Sequence, residues 1–129
     1  MPVGLIINPP IPHLGCNPDR WVYDPTEVST WGLLELKCTM SPQLSELKYL
    51  KLDEVEGKYS LKKNHAYYYQ VMGCLGLSGC EWEDFYVQCT ESGEYHLGRI
   101  YFDSAFFSEM LTQLNIFYFN FHLPFCVQH

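Results

Sequence analysis

The chain has 129 residues, of which 47% are hydrophobic, including eight Phe, ten Tyr and three Trp. This apolar content excludes a disordered chain, and the length suits one hydrophobic core, so we expect a single domain over residues 1–129. The sequence has no long apolar run and no signal peptide, which predicts a soluble intracellular protein in either the nucleus or the cytoplasm. Its six cysteines form no CxxC pair, which favours reduced thiols over a zinc site or a disulfide framework.

The net charge of -7 argues against a uniformly basic nucleic-acid binder. The charges are unevenly distributed, because residues 81–129 hold seven acids and only one base, Arg99. Five of the eight bases fall within one short segment, at Lys48, Lys51, Lys58, Lys62 and Lys63. This segment could contact phosphates, although a solvated lysine-rich loop explains the charge equally well.

The first half of the chain favours strands. We predict a short strand over residues 3–7, then strands over 20–23 and 31–37 that form a hairpin with a long loop. The second strand of this hairpin is apolar on both faces, which is typical of a central strand. A short helix is predicted from Pro42, and a longer helix from about Lys62 to Leu77.

The second half predicts another hairpin and a closing helix. Residues 84–90 and 95–102 alternate around a turn at residues 91–94. Asp103 can cap the closing helix, and Pro124 is expected to end it. The element order predicts an α/β fold with a mixed central sheet flanked by helices.

Glu35 and Lys37 are two residues apart on a predicted strand, so their side chains lie on one face, while Leu34 and Leu36 are expected in the core on the other. If the first hairpin is symmetric about Glu27, Asp19 lies opposite Glu35. Cross-strand neighbours on one face have Cβ atoms about 4.5 to 5.5 Å apart. Two carboxylates and an ammonium are therefore expected to converge.

Paired carboxylates repel unless a cation lies between them, and their hard oxygen atoms suit Mg²⁺ or Mn²⁺. The backbone carbonyl of Leu36 is a further expected metal ligand. Such an ion activates water for phosphodiester hydrolysis, while Lys37 orients the water or stabilises developing charge. Alone, the Glu-x-Lys pattern is weak, because it is also common as a plain ion pair.

A fourth candidate, Gln70, lies on the predicted helix. It shares a face with Ala66, Gly73, Cys74 and Leu77. Because these neighbours are mostly small, the helix could approach the sheet closely and bury Gln70 beside the carboxylates, where its amide could hold a ligand or a phosphate. An ordinary polar residue satisfied by hydrogen bonds is the alternative.

Three ordered segments carry a family resemblance: residues 15–19 (GCNPD), 32–38 (GLLELKC) and 64–71 (NHAYYYQV). Together they resemble the YqaJ-type viral recombinases, the phage lambda exonuclease-like family of PD-(D/E)xK nucleases. The similarity continues through residues 82–85 and 98–100 to the closing helix, and so covers nearly the whole chain.

The resemblance implies a restriction-endonuclease-like fold and Mg²⁺-dependent degradation of duplex DNA from the 5′ end, linked to recombination or repair. It implies that Asp19, Glu35 and the Leu36 carbonyl bind the metal ion, that Lys37 acts on the water, and that Gln70 completes the site. It also implies DNA as the partner and a homo-oligomer, a trimer in the phage relative.

The sequence departs from the family pattern in two places. Arg20 stands where the family has glycine, and only eighteen residues precede Asp19, so we expect the helical N-terminal region to be missing and the chain to be N-terminally truncated. Two alternatives to a nuclease follow. One is a catalytically impaired relative that binds DNA or a protein, and the other is an interaction domain whose aromatic C-terminal helix forms an interface.

Overall fold

A mixed four-stranded sheet lies at the centre of the computed structural model, which describes residues 4–7 and 15–128. The strands are β1 (Ile6–Ile7), β2 (Gly15–Cys16), β3 (Arg20–Tyr23), β4 (Trp31–Thr39), β5 (Leu50–Asp53), β6 (Lys58–Leu61), β7 (Trp82–Cys89) and β8 (Tyr95–Tyr101). The helices are α1 (Ala66–Ser78), α2 (Ser104–Phe117) and α3 (Leu123–Gln128), with a 3-10 turn at Leu44–Glu46 and a π-helical turn at Tyr118–His122.

The central sheet has the order β3-β4-β7-β8. Strand β4 pairs antiparallel with β3 and parallel with β7, and β7 pairs antiparallel with β8. A parallel pair needs a crossover connection, which the β5–β6 hairpin and α1 supply between β4 and β7. The mixed α/β sheet flanked by helices is confirmed, as are both predicted sheet hairpins.

The core lies between α1 and one face of the sheet. Leu33 on β4 and Phe85 and Val87 on β7 are at most 1% exposed, and Met72 of α1 is fully buried against them. Helix α2 packs on α1, where the Tyr68 and Phe106 rings meet edge to face at 4.9 Å. The sheet, α1 and α2 thus form three layers, and the packing of α1 on the sheet determines which face of β4 is buried.

The prediction for Leu34 and Leu36 was wrong. Leu33, Glu35 and Lys37 lie on the face that α1 covers, whereas Leu36 on the opposite face is 44% exposed. Because β4 is apolar at both odd and even positions, its own pattern could not show which face the helix would cover.

Three predicted elements differ in the structure. The segment after Pro42 forms only a 3-10 turn and is followed by the unpredicted β5–β6 hairpin. Helix α1 begins at Ala66, because the His65 side chain accepts a hydrogen bond from the Tyr67 N–H at 3.1 Å and caps the helix there. The strand expected over residues 3–7 is observed at Ile6–Ile7, and Val3 lies outside the described residues.

Pro124 does not end the closing helix. It is the second residue of α3, where its missing N–H removes no hydrogen bond within that helix. The π-helical turn before it separates α2 from α3. In the ranges that the structure describes, no helix has the length and apolar character needed to cross a membrane.

Arg99 on β8 anchors the long β3–β4 loop. Its guanidinium donates two hydrogen bonds to Asp84, at 2.8 and 3.1 Å, and contacts Asp24 and Glu27 of the loop at 2.6 and 3.0 Å. The same group stacks on Trp82, 3.7 Å from the ring centroid. A lysine could not make these bidentate and stacked contacts. Arg99 therefore ties the β3–β4 loop to β7 and β8 and stabilises the register of the β3–β4 hairpin.

Two glycines of α1 provide a matched test of the contact between α1 and α2. A Cβ on Gly76 would overlap the Phe107 ring, whereas a Cβ on Gly73 would meet the Met110 methyl group at an ordinary 3.5 Å. We expect Gly76→Ala to lower the free energy of unfolding by about 1–3 kcal/mol through overpacking. Gly73→Ala should raise it by up to about 1 kcal/mol through helix propensity. Urea denaturation measures both, and equal effects would contradict this packing.

Candidate functional site

The register of the β3–β4 hairpin brings Asp19 next to Glu35. Arg20 pairs with Leu34 and Trp21 with Leu33, and one further step places Asp19 across from Glu35, the arrangement expected from symmetry about Glu27. The Asp19 N–H donates to the Leu34 carbonyl at 3.1 Å. The Leu36 N–H donates to Asp19 Oδ2 at 2.8 Å, so the Asp19 carboxylate is held against the backbone of β4.

Glu35 and Lys37 form an ion pair on the face covered by α1. The Lys37 ammonium is 3.2 Å from Glu35 Oε1, and the two side chains are 22% and 8% exposed. Burial raises the pKa of Glu35, the neighbouring Lys37 opposes this, and the nearby Asp19 adds to it. The carboxylate therefore lies at the edge of the core, where a positive charge stabilises its ionised form.

An aromatic wall formed by Tyr49, His65 and Tyr67 borders Lys37, and the sequence analysis did not identify it. The ammonium lies over the Tyr67 ring, 4.3 Å from its centroid. Tyr67 packs edge to face on Tyr49 at 4.8 Å and on His65 at 4.7 Å. Lys37 is therefore held between a carboxylate and a ring face, which restricts the position of its charge. The signal available in the sequence was the run of three tyrosines at residues 67–69, directly before Gln70.

Gln70 lies on the predicted face of α1 but is not buried there. It lines a cavity of about 510 Å³ between β2, α1 and α2, together with Ala66, Gly73, Cys74 and Leu77. The expectation of a glutamine buried beside the carboxylates was wrong: Gln70 is exposed. The small residues of this face leave a cavity, because α2 rather than the sheet packs alongside it. Asn17, two residues before Asp19, lines the same cavity.

A second buried acid, Glu83 on β7, was also missed. It is 1% exposed, and among the described residues its Oε1 has no hydrogen-bond partner. Burial raises the pKa of Glu83 to about 9, and the nearby Glu35 is the next largest cause. The sequence signal was its phase, because Glu83 alternates with Phe85 and Val87 on the apolar face of β7.

The lysine-rich segment adjoins the site through Tyr49. The hairpin of β5 and β6 carries Lys51 and Lys58, and Lys62 follows β6. The Lys62 N–H donates to the Tyr49 carbonyl at 2.8 Å, which links this segment to the aromatic wall under Lys37. Lys51 and Lys63 line a cavity with Arg99 and Tyr101 of β8, at the sheet edge opposite β3, so these two lysines lie away from Asp19.

The donor chemistry of the site fits a hard divalent cation. Asp19 and Glu35 offer carboxylate oxygens, and the Leu36 carbonyl lies on the β4 backbone between Glu35 and Lys37. Within the described ranges, no three His, Cys, Asp or Glu side chains are already gathered as a metal cluster. The nearby Asp19 nevertheless raises the pKa of Glu35, and a cation between these two carboxylates would relieve their repulsion.

A mixed sheet with a helical crossover, and a hairpin that presents Asp19 with a Glu-x-Lys strand, is consistent with the restriction-endonuclease-like fold class. Residues 1–81 match the model of the YqaJ-like viral recombinase domain, and the chain belongs to that family. Membership indicates a nuclease of recombination that binds DNA. Comparison with curated proteins and with solved structures gave no match. The family match contains Asp19, Glu35, Lys37 and Gln70, and ends two residues before Glu83.

Glu83 predicts a pH dependence of stability. Its pKa is raised from 4.5 to about 9 in the folded chain, so its contribution is fully present below pH 4.5 and is lost as the pH rises towards 9. Between about pH 5 and pH 8 this loss amounts to at most about 4 kcal/mol. We expect Glu83→Gln to flatten the decline measured by urea denaturation.

The matched control is Glu81→Gln, the same chemical change at an exposed position two residues away. It should reproduce the wild-type decline in stability. A Glu83→Gln profile that runs parallel to the wild-type profile would contradict the assignment.

Proposed function

We propose that this chain is a Mg²⁺-dependent deoxyribonuclease of the PD-(D/E)xK type that hydrolyses phosphodiester bonds of duplex DNA, acting as a 5′–3′ exonuclease in recombination or repair. The observation that carries this proposal is the β3–β4 register, which brings Asp19 beside the Glu35–Lys37 ion pair. The family match supports the nuclease class. The exonuclease direction and the metal ion rest on the sequence resemblance and on the donor chemistry.

Asp19, Glu35 and the Leu36 carbonyl would hold Mg²⁺, for which Mn²⁺ can substitute. When bound, the ion supplies Lewis-acid activation of water and of the phosphodiester. The chain keeps these ligands in place through the hydrogen bond from the Leu36 N–H to Asp19, which fixes one carboxylate relative to β4.

Lys37 supplies a fixed positive charge at the same edge of the core. Because its ammonium lies 3.2 Å from Glu35 and 4.3 Å from the centroid of the Tyr67 ring, the position of this charge is restricted. A restrained ammonium beside a phosphodiester stabilises the charge that develops on the phosphate oxygens and orients the attacking water. Gln70, which is exposed at the rim of the cavity that Asn17 also lines, would donate hydrogen bonds to the DNA backbone.

The basic segment at residues 48–63 is the proposed phosphate contact. Its link to Lys37 runs through Tyr49 and Tyr67, and Lys51 and Lys63 border β8, so DNA held by these lysines would extend across the aromatic wall towards the carboxylates. The acidic balance of residues 81–129 disfavours DNA binding elsewhere.

A homo-oligomer is the proposed assembly, and the exposed Phe117, Phe119 and Phe121 after the core-packed part of α2 support an apolar interface.

The activity test uses linear duplex DNA labelled at one 5′ end, with Mg²⁺. We expect digestion from the 5′ end, resistance of closed circular DNA, and a loss of at least about 100-fold in rate for Glu35→Gln and for Lys37→Ala. Glu81→Gln, which is exposed and outside the site, should keep the wild-type rate.

Nuclease activity that survives in both Glu35→Gln and Lys37→Ala would contradict the assigned site. A folded wild-type chain that binds DNA without cutting it would instead identify the catalytically impaired DNA-binding relative. Cleavage of closed circles at the rate of linear DNA would replace exonuclease with endonuclease.

Tyr67 is predicted to position Lys37. Replacing the ring by leucine removes the cation–π contact, which is worth about 0.5 to 2 kcal/mol, so kcat should fall roughly two- to thirtyfold while KM changes little. Tyr67→Phe keeps the ring face and should retain near wild-type kcat. Steady-state kinetics on short duplexes compares them, and equal losses in the two variants would contradict a role for the ring face.

A further inference from the structure

The residue that caps α1 is a histidine, and capping alone does not require one. The His65 Nδ1 accepts a hydrogen bond from the Tyr67 N–H at 3.1 Å. Serine, threonine, aspartate and asparagine supply such an acceptor with smaller side chains and are the usual residues at this position of a helix. The imidazole adds a ring, and this ring is half-buried against the other two members of the aromatic wall.

The His65 ring supports the Tyr67 ring within the aromatic wall. The two rings meet edge to face with centroids 4.7 Å apart, and the Tyr49 ring lies 4.8 Å from Tyr67 and 5.5 Å from His65. Since each ring contacts the other two, each restricts how the others can tilt. The backbone closes the same group, because the Lys62 N–H donates to the Tyr49 carbonyl at 2.8 Å and the His65 N–H donates to the Lys62 carbonyl at 3.1 Å.

The Tyr67 ring is the surface on which the Lys37 ammonium lies, 4.3 Å from the ring centroid. Because the same ammonium pairs with Glu35 at 3.2 Å, a change in the tilt of Tyr67 would alter where this charge lies. We propose that His65 is a positioning residue of the site, whose ring sets the orientation of Tyr67 and thereby the position of the Lys37 ammonium. Its effect on catalysis rests on the proposed function, whereas the position of the ammonium can be measured without DNA.

Nuclear magnetic resonance of the whole chain, isotopically labelled in its lysine side chains, measures that position. Protons above a ring face are shielded, so the Lys37 ε-methylene signal should lie upfield of the signals of the other five lysines. The signal is assigned by its loss in Lys37→Ala. We expect His65→Asn, which keeps a capping acceptor but removes the ring, to move the signal downfield towards the other lysines. Its urea midpoint should stay at or above the wild-type value, because asparagine is a good capping residue.

Two further variants separate the ring from the cap. His65→Phe keeps a ring but offers no acceptor to the Tyr67 N–H, so it should lower the urea midpoint and retain most of the upfield displacement in the folded chain. Tyr69→Leu is the matched ring control. It removes a tyrosine two residues from Tyr67, on a different face of α1, whose ring packs on Phe106 at 4.9 Å, and it should leave the Lys37 signal unchanged.

The outcomes separate this inference from the proposed function. In the nuclease assay, His65→Asn should lower kcat roughly two- to tenfold with little change in KM. If the folded His65→Asn chain keeps both the Lys37 signal and kcat at their wild-type values, His65 is a cap only and the inference fails while the proposed function stands. A signal that moves as expected in a chain that cuts no DNA would support the positioning of the ammonium and count against the proposed function.

Discussion

The antiparallel pairing of β3 with β4 is the constraint on which the site depends. Because side chains alternate along a strand, a slip of one residue would move Glu35 and Lys37 to the open face. The pairing is secured at the loop by Arg99, which contacts Asp24, Glu27 and Asp84, and at the site by the hydrogen bond from the Leu36 N–H to Asp19. Hydrogen bonds from Thr26, together with those from Arg99, lower the pKa of Asp24 to about 2 and so keep it a carboxylate.

The site combines charges that disfavour one another in a partly buried environment. Glu35 and Glu83 are the two buried charged residues among those described, and both have raised pKa values because burial disfavours a carboxylate. Lys37 compensates one of them, and its contact with Tyr67 fixes where that positive charge lies. A divalent cation between Asp19 and Glu35 would compensate the negative charge that remains there, whereas Glu83, with a pKa of about 9, is uncharged at neutral pH. Costly local electrostatics of this kind is typical of functional sites rather than of a packed core.

Local sequence pattern was enough for the hairpin and for the helical face of Gln70. The spacing of Asp19 and Glu35 about Glu27 encodes the register, since loop and strand lengths are local properties. The buried face of β4 was not local information, because Leu33 and Leu34 are equally apolar and only the packing of α1 distinguishes them. Glu83 was missed for the same reason, since its pairing with Leu33 joins strands fifty residues apart. The lysine-rich β5–β6 hairpin was missed because its exposed charges hide the strand pattern of Leu50 and Leu61.

A divalent cation bound between carboxylates of adjacent strands, as proposed, would be located by anomalous diffraction from crystals grown with Mn²⁺. We expect one strong anomalous peak bonded to oxygen atoms of both Asp19 and Glu35, on the side of the sheet that α1 covers. Ordered density for both side chains with no peak between them, or a peak bound elsewhere, would show that these carboxylates do not form the metal site.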